Sequence, residues 1–442
     1  MQKKIGRTYV EIHSGYGEIG GNMIEVSYGD TSIILDLGIS FKKYKNYYEW
    51  PSRLPEDLAE LMELGVVPIV DNLIPENKET YDAALVTHAH RDHIELLFYL
   101  EKPIPIYMGE TSKIIQDTRM LVYRNSKYRI DMEPNISTFR TDWNCQIGDI
   151  SVEAIHVDHS IPGAYSYIVS TPDATILYTG DYRLHGGRVC EKSLTMDMVD
   201  KAKEHGIDLL LTEGTRFTEC STDREVDVLR SLNTIMSQFN GTILFEYSYL
   251  DIDRYESLVE AAGNWDKTII FESRHFAFIY KLYKEDKGLK DKIDLNRYKH
   301  MIKVYHKPRK GLKKDFKKLM SDIESEGYTV ISDLNEVEDF NNVILEGFDL
   351  YIRDIYKLRL NKCLAIHSTS EPYDEDIELS YEKISNWLKK MNAPSYRIHT
   401  SGHIHPLDLI KIYNEIRPND VLVVHSEYPE EIRNILIRKG GR

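Results

Sequence analysis

Cysteine is scarce in this chain: four residues in 442, Cys145, Cys190, Cys220 and Cys363, all far apart and none in a metal-knuckle spacing. That usage fits a reduced, cytoplasmic compartment. Long apolar runs are missing too. None approaches the ~20 residues of a membrane span, and no apolar signal segment follows Met1-Gln-Lys-Lys, so neither insertion nor secretion is expected. There is no internal repeat, no low-complexity tract and no Pro/Ser linker, which argues against a solenoid or domains strung as beads. Positive charge is in deficit: 56 Lys+Arg face 71 Asp+Glu, a net −15 that, spread evenly, would disfavour a nucleic-acid partner. What remains is ordinary for a folded protein, with 42% hydrophobic and 29% charged residues. The length suits two or three domains.

The charge is not spread evenly. Between Lys281 and Leu319 stand fifteen Lys/Arg, among them Lys307, Arg309, Lys310, Lys313, Lys314, Lys317 and Lys318. Only Glu285, Asp286, Asp291, Asp294 and Asp315 interrupt them, so the stretch carries +10 and the rest of the chain −25. Two readings are open: a solvated helix face, or an electrostatic landing strip for a polyanion.

The hydropathy pattern is α/β. Short β-branched runs recur at Ser32–Leu35, Ala83–Val86, Thr175–Tyr178, Asp208–Leu211, Thr242–Phe245, Thr268–Phe271, Thr329–Ile331, Cys363–Ile366 and Val421–Val424. Amphipathic segments at Glu225–Phe239, Tyr255–Ala262, Asp315–Glu324 and Tyr381–Met391 predict helices between the later ones. The first ~200 residues read as β-rich and the middle, about 215–393, as an α/β unit; the last fifty return to strand, loop and helix. With no linker between them, an inserted domain is expected: 1–214, an insertion over 215–393, and completion of the first domain by 394–442.

The strongest local signal is Thr87-His88-Ala89-His90-Arg91-Asp92-His93, directly after the strand Ala83–Val86. Residues i and i+2 do not share a helical face, so these side chains hang from a loop at a strand end. Imidazoles with a carboxylate suit Zn²⁺ or Mn²⁺.

This segment resembles the HxHxDH signature of the metallo-β-lactamase superfamily, and further pieces of that pattern follow in order. Asp36 ends Ile33-Ile34-Leu35-Asp36, His159 opens His159-Ser160-Ile161-Pro162, and Asp181 follows a strand in Tyr178-Thr179-Gly180-Asp181. The resemblance implies an αββα sandwich binding two divalent ions, Zn²⁺ ahead of Mn²⁺. His88, His90 and His159 would hold one ion, Asp92 and His93 the other, Asp181 would bridge them and Asp36 would orient a ligand. His156 and His185 are expected not to be ligands. Asp208-Leu209-Leu210-Leu211-Thr212-Glu213, Ile398-His399-Thr400-Ser401-Gly402-His403 and Val423-Val424-His425 resemble motifs A, B and C of the β-CASP group, the nucleic-acid-processing branch. That match implies an inserted β-CASP domain, with His425 completing the second metal's shell and favouring RNA over DNA. Gly17-Glu18-Ile19-Gly20-Gly21-Asn22 and His399–His403 look most like ribonuclease J.

The implied activity is exo- and/or endoribonuclease action: a metal-bridged hydroxide attacks phosphorus, and His403, paired with Glu213, protonates the leaving oxygen. His399, Ser401 and Gly402, just ahead of a helix opening at Pro406, would bind substrate phosphate. One departure stands out. Where ribonuclease J carries a small Phe/Ala/Ser/Asn-type segment that helps hold a 5′-monophosphate, this chain has Phe245-Glu246-Tyr247-Ser248-Tyr249-Leu250-Asp251-Ile252-Asp253-Arg254. Arg254 fits and Ser248 is a substitute for the displaced serine, but three acids are added, which questions 5′-end sensing. The chain ends at Arg442, soon after motif C, so a dimer built on ribonuclease J's separate C-terminal domain is not expected, though another homo-oligomer is open. Two alternatives stay open: a small-molecule hydrolase of the same fold cleaving a thioester or lactone, and a non-catalytic scaffold in an RNA-processing complex.

Overall fold

The computed structural model describes residues 1–439 except 49–54, 56, 75–76, 78–79, 102, 124–134, 188–193, 220–222, 309–311 and 370–374. Cys190, Cys220, Arg309 and Lys310 therefore lie outside the described residues.

Two sheets face each other. The first runs in chain order: β1 (Gln2–Ile5), β2 (Thr8–Ser14), β3 (Met23–Tyr28), β4 (Thr31–Leu35), β5 (Ala83–Val86), β6 (Ile106–Gly109) and β7 (Ile136–Phe139). β1 to β4 pair antiparallel and β4 to β7 parallel, with Leu35 opposite Leu85. The second sheet holds β8 (Asn144–Ile147), β9 (Ile150–Val157), β10 (Ala164–Ser170), β11 (Thr175–Tyr178) and β12 (Leu209–Glu213). A third sheet then intervenes, wholly parallel: β13 (Thr242–Tyr247), β14 (Thr268–Glu272), β15 (Ile302–Tyr305), β16 (Thr329–Ile331), β17 (Val343–Glu346), β18 (Cys363–Ser368) and β19 (Ser395–Arg397), in spatial order β16-β15-β14-β17-β13-β18-β19. β20 (Asp420–Val424) returns to the second sheet and lies parallel to β12. The chain thus leaves one sheet pair, builds another α/β unit and comes back.

Packing follows the side-chain alternation. Val10, Ile12, Ile24 and Leu85 of the first sheet meet Val152, Tyr167, Ile176 and Leu211 of the second in one dry core. The opposite face of the first sheet is covered by Leu58, Leu61, Leu96 and Phe98, and that of the second by helices Leu194–His205, Pro406–Ile416 and Pro429–Lys439. This is an αββα sandwich. The third sheet is covered on both faces, which explains why β13 and β18 read as continuous apolar runs.

Two helices of the β-rich first part, Glu110–Val122 and Leu194–His205, were not legible beforehand, and neither was Ser273–Glu285. The last of these contains the unbroken buried run His275-Phe276-Ala277-Phe278-Ile279-Tyr280, which masks the polar stripe of Arg274, Lys281, Lys284 and Glu285 on the same helix. No helix of the described residues is long and apolar enough to cross a membrane.

Half-buried Asp349 follows β17. Burial, Glu246 and Glu346 raise its carboxyl to about 6, against His275. The native state thus keeps a proton that the unfolded chain releases near ~4. The stability tied to that proton is fully present below ~4 and is lost as pH rises through about 6. Asp349→Asn should therefore raise the urea midpoint more at pH ~7 than at pH ~5.

Candidate metal centre

The parallel strands of the two facing sheets end on the same side, where ligands of open α/β sheets gather. Asp36 follows β4, His88 to His93 follow β5, His159 follows β9, Asp181 follows β11, Glu213 ends β12 and His425 follows β20. His90 caps the single helical turn Arg91–Ile94 that carries Asp92 and His93. Asp36 and His425 both have positive φ, 59° and 51°, an uncommon backbone for residues other than glycine.

Ring nitrogens converge around one point. His90 Nδ1 lies 3.0 Å from His88 Nε2 and 3.1 Å from His159 Nε2, and with Asp181 all four ligand atoms fall within 4.8 Å of one another. A second group gathers Asp92, His93 and His425, with His425 Nε2 3.1 Å from Asp92 Oδ2. Asp181 Oδ2 stands between them, 3.2 Å from His93 Nε2, 3.6 Å from His425 Nε2 and 3.7 Å from His88 Nε2. His403 and Glu213 form a further set with Asp181 and His425.

Four of the five ligand rings, all but His90, are aimed from behind. His93 Nδ1–H donates to Asp36 Oδ2 at 2.7 Å, His159 Nδ1–H to the Gly402 carbonyl at 2.6 Å, His88 Nδ1–H to Thr87 Oγ1 at 3.0 Å and His425 Nδ1–H to Thr215 Oγ1 at 2.8 Å. Asp36 is itself held by the Thr87 N–H and hydroxyl and by Tyr178 O–H. Such outward Nδ1 bonds fix the tautomer and point the Nε2 lone pair inward. Thr87, Thr215 and Tyr178 were not singled out from the sequence; isolated hydroxyl residues carry no spacing signal.

The electrostatics leave room for cations. Asp36, Asp92, Asp181 and Glu213 have no Lys or Arg ion-pair partner among the described residues, and the buried atoms His93 Nε2 and Asp181 Oδ1 have no hydrogen bond. Burial and the neighbouring imidazoles hold His88 and His159 well below the usual histidine range, so both are neutral lone-pair donors. Burial opposes charge on Asp181, but His425, His93 and His403 pull it well below the carboxylate range. Against its burial, Asp181, Asp36 and Asp92 raise His93 well above the usual histidine range, so a cation there takes the place of its proton. With neutral His88 and His159, ionised carboxylates and orphaned inward atoms, this is a donor set a divalent ion fits.

Close backbone approach shapes the loop. Gly38 packs against the Asp92 carbonyl so tightly that a Cβ would fall on its oxygen, and a Cβ on Gly20 would lie 2.5 Å from Asp92 Oδ2. Gly38→Ala should displace Asp92 and lower the bound-metal content measured by mass spectrometry of the purified chain.

The His399–His403 segment sits beside this cluster. Burial would lower His403, yet Glu213, with Nδ1···Oε2 at 3.0 Å, and then Asp181 raise it to about 9. Its Nε2 has no protein partner among the described residues, and its side chain is 22% exposed. Gly402 offers its carbonyl to His159, and a Cβ there would collide with Ser160. Ser401 Oγ accepts from the His403 N–H at 3.3 Å, and its carbonyl accepts from His185 Nε2 at 2.9 Å. Burial and Arg254 keep His399 neutral, its ring lowered to about 3, with Nδ1–H donated to the Ser368 carbonyl. The helix at Pro406 begins as expected, but His405 Nδ1 caps the Leu407 N–H, so that terminus is already satisfied three residues beyond Gly402. His156 stacks on Tyr165, away from the cluster. Ser248 is exposed at the end of β13, where Tyr247 pairs with Ser368.

Arg254 departs most from its expected part. All five of its N–H donors are taken, by Glu225 (3.0 and 3.1 Å), by the Ser368 carbonyl and hydroxyl, and by the Thr400 carbonyl. The guanidinium is a buried tie between Glu225, the end of β18 and the Thr400 carbonyl, not an open phosphate hook.

Comparison with known proteins agrees with this architecture. Residues 69–239 match the family model described as the Beta-lactamase superfamily domain. In fold and in the order of its motifs the chain is similar to the metallo-β-lactamase superfamily. Within it, the chain is ribonuclease J-like across nearly its whole length. Ribonuclease J of Mycoplasma pneumoniae is 23% identical over 455 residues, covering 98% of this chain and 70% of that protein. Ribonuclease J of Thermus thermophilus is 24% identical over 430 residues, covering 93% and 67%. A crystal structure of a protein of unknown function from Enterococcus faecalis V583 shares the fold, with a TM-score of 0.71, 23% identity and coverage of 96% and 95%.

Proposed function

We propose that this chain is a dinuclear metal-dependent ribonuclease that hydrolyses phosphodiester bonds. One observation carries the reading: two groups of inward-facing ligand atoms share Asp181, and a paired His403–Glu213 stands beside them. His88, His90 and His159 would hold one ion and Asp92, His93 and His425 the other. When bound, the ions would acidify water to a nucleophile near neutral pH and stabilise charge on the phosphoryl oxygens. Their four charges exceed the two of Asp92 and Asp181, so the site attracts a phosphodiester despite the acidic surface. Asp36 positions His93. Glu213 keeps a proton on His403, whose free Nε2 passes it to the leaving 3′-oxygen. The unit expected over 215–393, whose sheet continues through Arg397, forms the wall that carries Ser248, Arg254 and Ser368 beside His399–Gly402.

The saturated Arg254 and the neutral His399 favour internal cleavage over recognition of a charged 5′ end. Rates on 5′-monophosphate and 5′-hydroxyl RNA should agree within about threefold, less than one charge-assisted contact is worth, and circular RNA should be cut. A strict requirement for a 5′-monophosphate would refute internal cleavage. Turnover of thioesters or lactones, with every RNA left intact, would favour the small-molecule hydrolase.

A further inference from the structure

The fifteen basic residues of Lys281–Leu319 do not form one strip on the folded chain. Lys281 pairs with Glu285, Lys284 with Glu326, Lys292 with Asp253 and Lys307 with Asp354, while Lys299 donates to the Glu326 carbonyl. Apart from Lys303 on β15, the remaining lysines with no carboxylate partner among the described residues fall into two groups at opposite ends of helix Glu110–Val122. Lys287 and Lys290 lie at one end, where Asp286 bonds Thr111. Lys313, Lys314, Lys317 and Lys318 lie at the other, where Lys313 Nζ donates to the Met120 carbonyl at 2.5 Å. Thirteen helical residues separate those ends by about 20 Å.

The second group is unusual in its placement. Helix Lys314–Ser325 buries Phe316, Leu319, Met320 and Ile323 and turns Lys314, Lys317 and Lys318 to solvent. Its lysines crowd the N-terminal half, while Asp322, Glu324 and Glu326 follow at the C-terminal end, the order that opposes the helix macrodipole. No ion pair joins Lys318 to Asp322. Charge that helps neither its own helix nor a neighbour is available to something outside the chain. The group also stands near the metal centre: Arg119, one residue before Met120, donates to the Ala89 carbonyl at 3.0 Å, between His88 and His90. Elsewhere the chain is acidic and repels a polyanion, so this face marks the favourable approach.

We propose that Lys314, Lys317 and Lys318 form a surface that binds the phosphate backbone of single-stranded RNA on its way to the metal centre. The choice of RNA rests on the nuclease reading; the presence of a polyanion surface does not. The test uses the full zinc-loaded chain carrying His403→Ala, which leaves the probe intact, and a fluorescent unstructured RNA of about 20 nucleotides. Lys314→Gln/Lys317→Gln/Lys318→Gln should weaken binding roughly tenfold near 0.1 M salt and flatten the slope of log K against log salt by about 2. Lys287→Gln/Lys290→Gln is the control and should change neither, and the thermal midpoint of the triple variant should not fall. Wild-type affinity and slope in the triple variant would overturn the proposal. So would displacement of the RNA by poly-glutamate at equal charge, which would assign the face to an acidic protein. Lysine-dependent binding by a wild-type chain that cleaves no RNA would sink the nuclease reading and leave the surface standing.

Discussion

His403→Ala should lower RNA cleavage by roughly 10²–10⁴-fold, the usual share of a general acid, while both metal ions stay bound. The separation follows from geometry. His403 contacts Glu213 through Nδ1 and leaves Nε2 without a protein partner, whereas the two ligand groups are complete without it. A substrate whose leaving group needs no proton, such as a p-nitrophenyl phosphodiester, should lose far less. Metal content measured on the same preparation decides between roles: loss of an ion in the variant would make His403 a ligand, as its nearness to Asp181 and His425 also allows.

Arg183→Met should be the most destabilising single change in the site's surroundings, by about 3–5 kcal/mol, as expected for removing one partner of a buried ion pair. Arg183 is fully buried two residues beyond Asp181. Its guanidinium bonds Asp158 at 3.1 Å, Asp253 at 2.5 Å and the Ser401 carbonyl at 3.4 Å. One side chain therefore ties together the loops that carry His159, Asp181 and His403, and fastens them to the helix Ile252–Asn264 of the third sheet. Removing it leaves Asp158 and Asp253 facing each other with one cation fewer. Chemical denaturation should show a large drop in midpoint, with RNA turnover falling alongside. Asp158→Asn in the Arg183→Met background should recover part of the loss, because Asp253 keeps Lys292 while Asp158 is the carboxylate left without its cation.

The contrast between Arg183 and His88 shows what a sequence makes legible. His88, His90, Asp92 and His93 sit within one loop, so their spacing alone excludes a helical face and names a ligand set. Asp36, Asp181 and His425 were legible through the resemblance to the metallo-β-lactamase and β-CASP motifs, whose pieces stand in order at the ends of apolar strand runs. Arg183 with Asp253, Thr87 with Asp36 and Thr215 with His425 act across tens to hundreds of residues, and no spacing in the chain marks those pairs. Arg254 shows the cost of judging by position alone: it occupies a phosphate-fitting place in the chain, yet Glu225, twenty-nine residues earlier, occupies its fork. The basic stretch shows the same limit. It is continuous in the chain, but folding spends several of its lysines on local acids and sorts most of the rest to two ends of one helix. Strands such as Ala83–Val86 and Thr175–Tyr178 were legible to the residue because both faces are buried, whereas in Ser273–Glu285 the buried run His275–Tyr280 masks the helical period.

The most direct measurement is a metal titration of the chelated chain, following RNA cleavage and bound zinc together. A dinuclear ribonuclease should show no cleavage without metal and activity that rises to a plateau at two ions per chain. A chain that binds two ions yet cuts no linear or circular RNA would contradict that function, as would full cleavage by the metal-free protein.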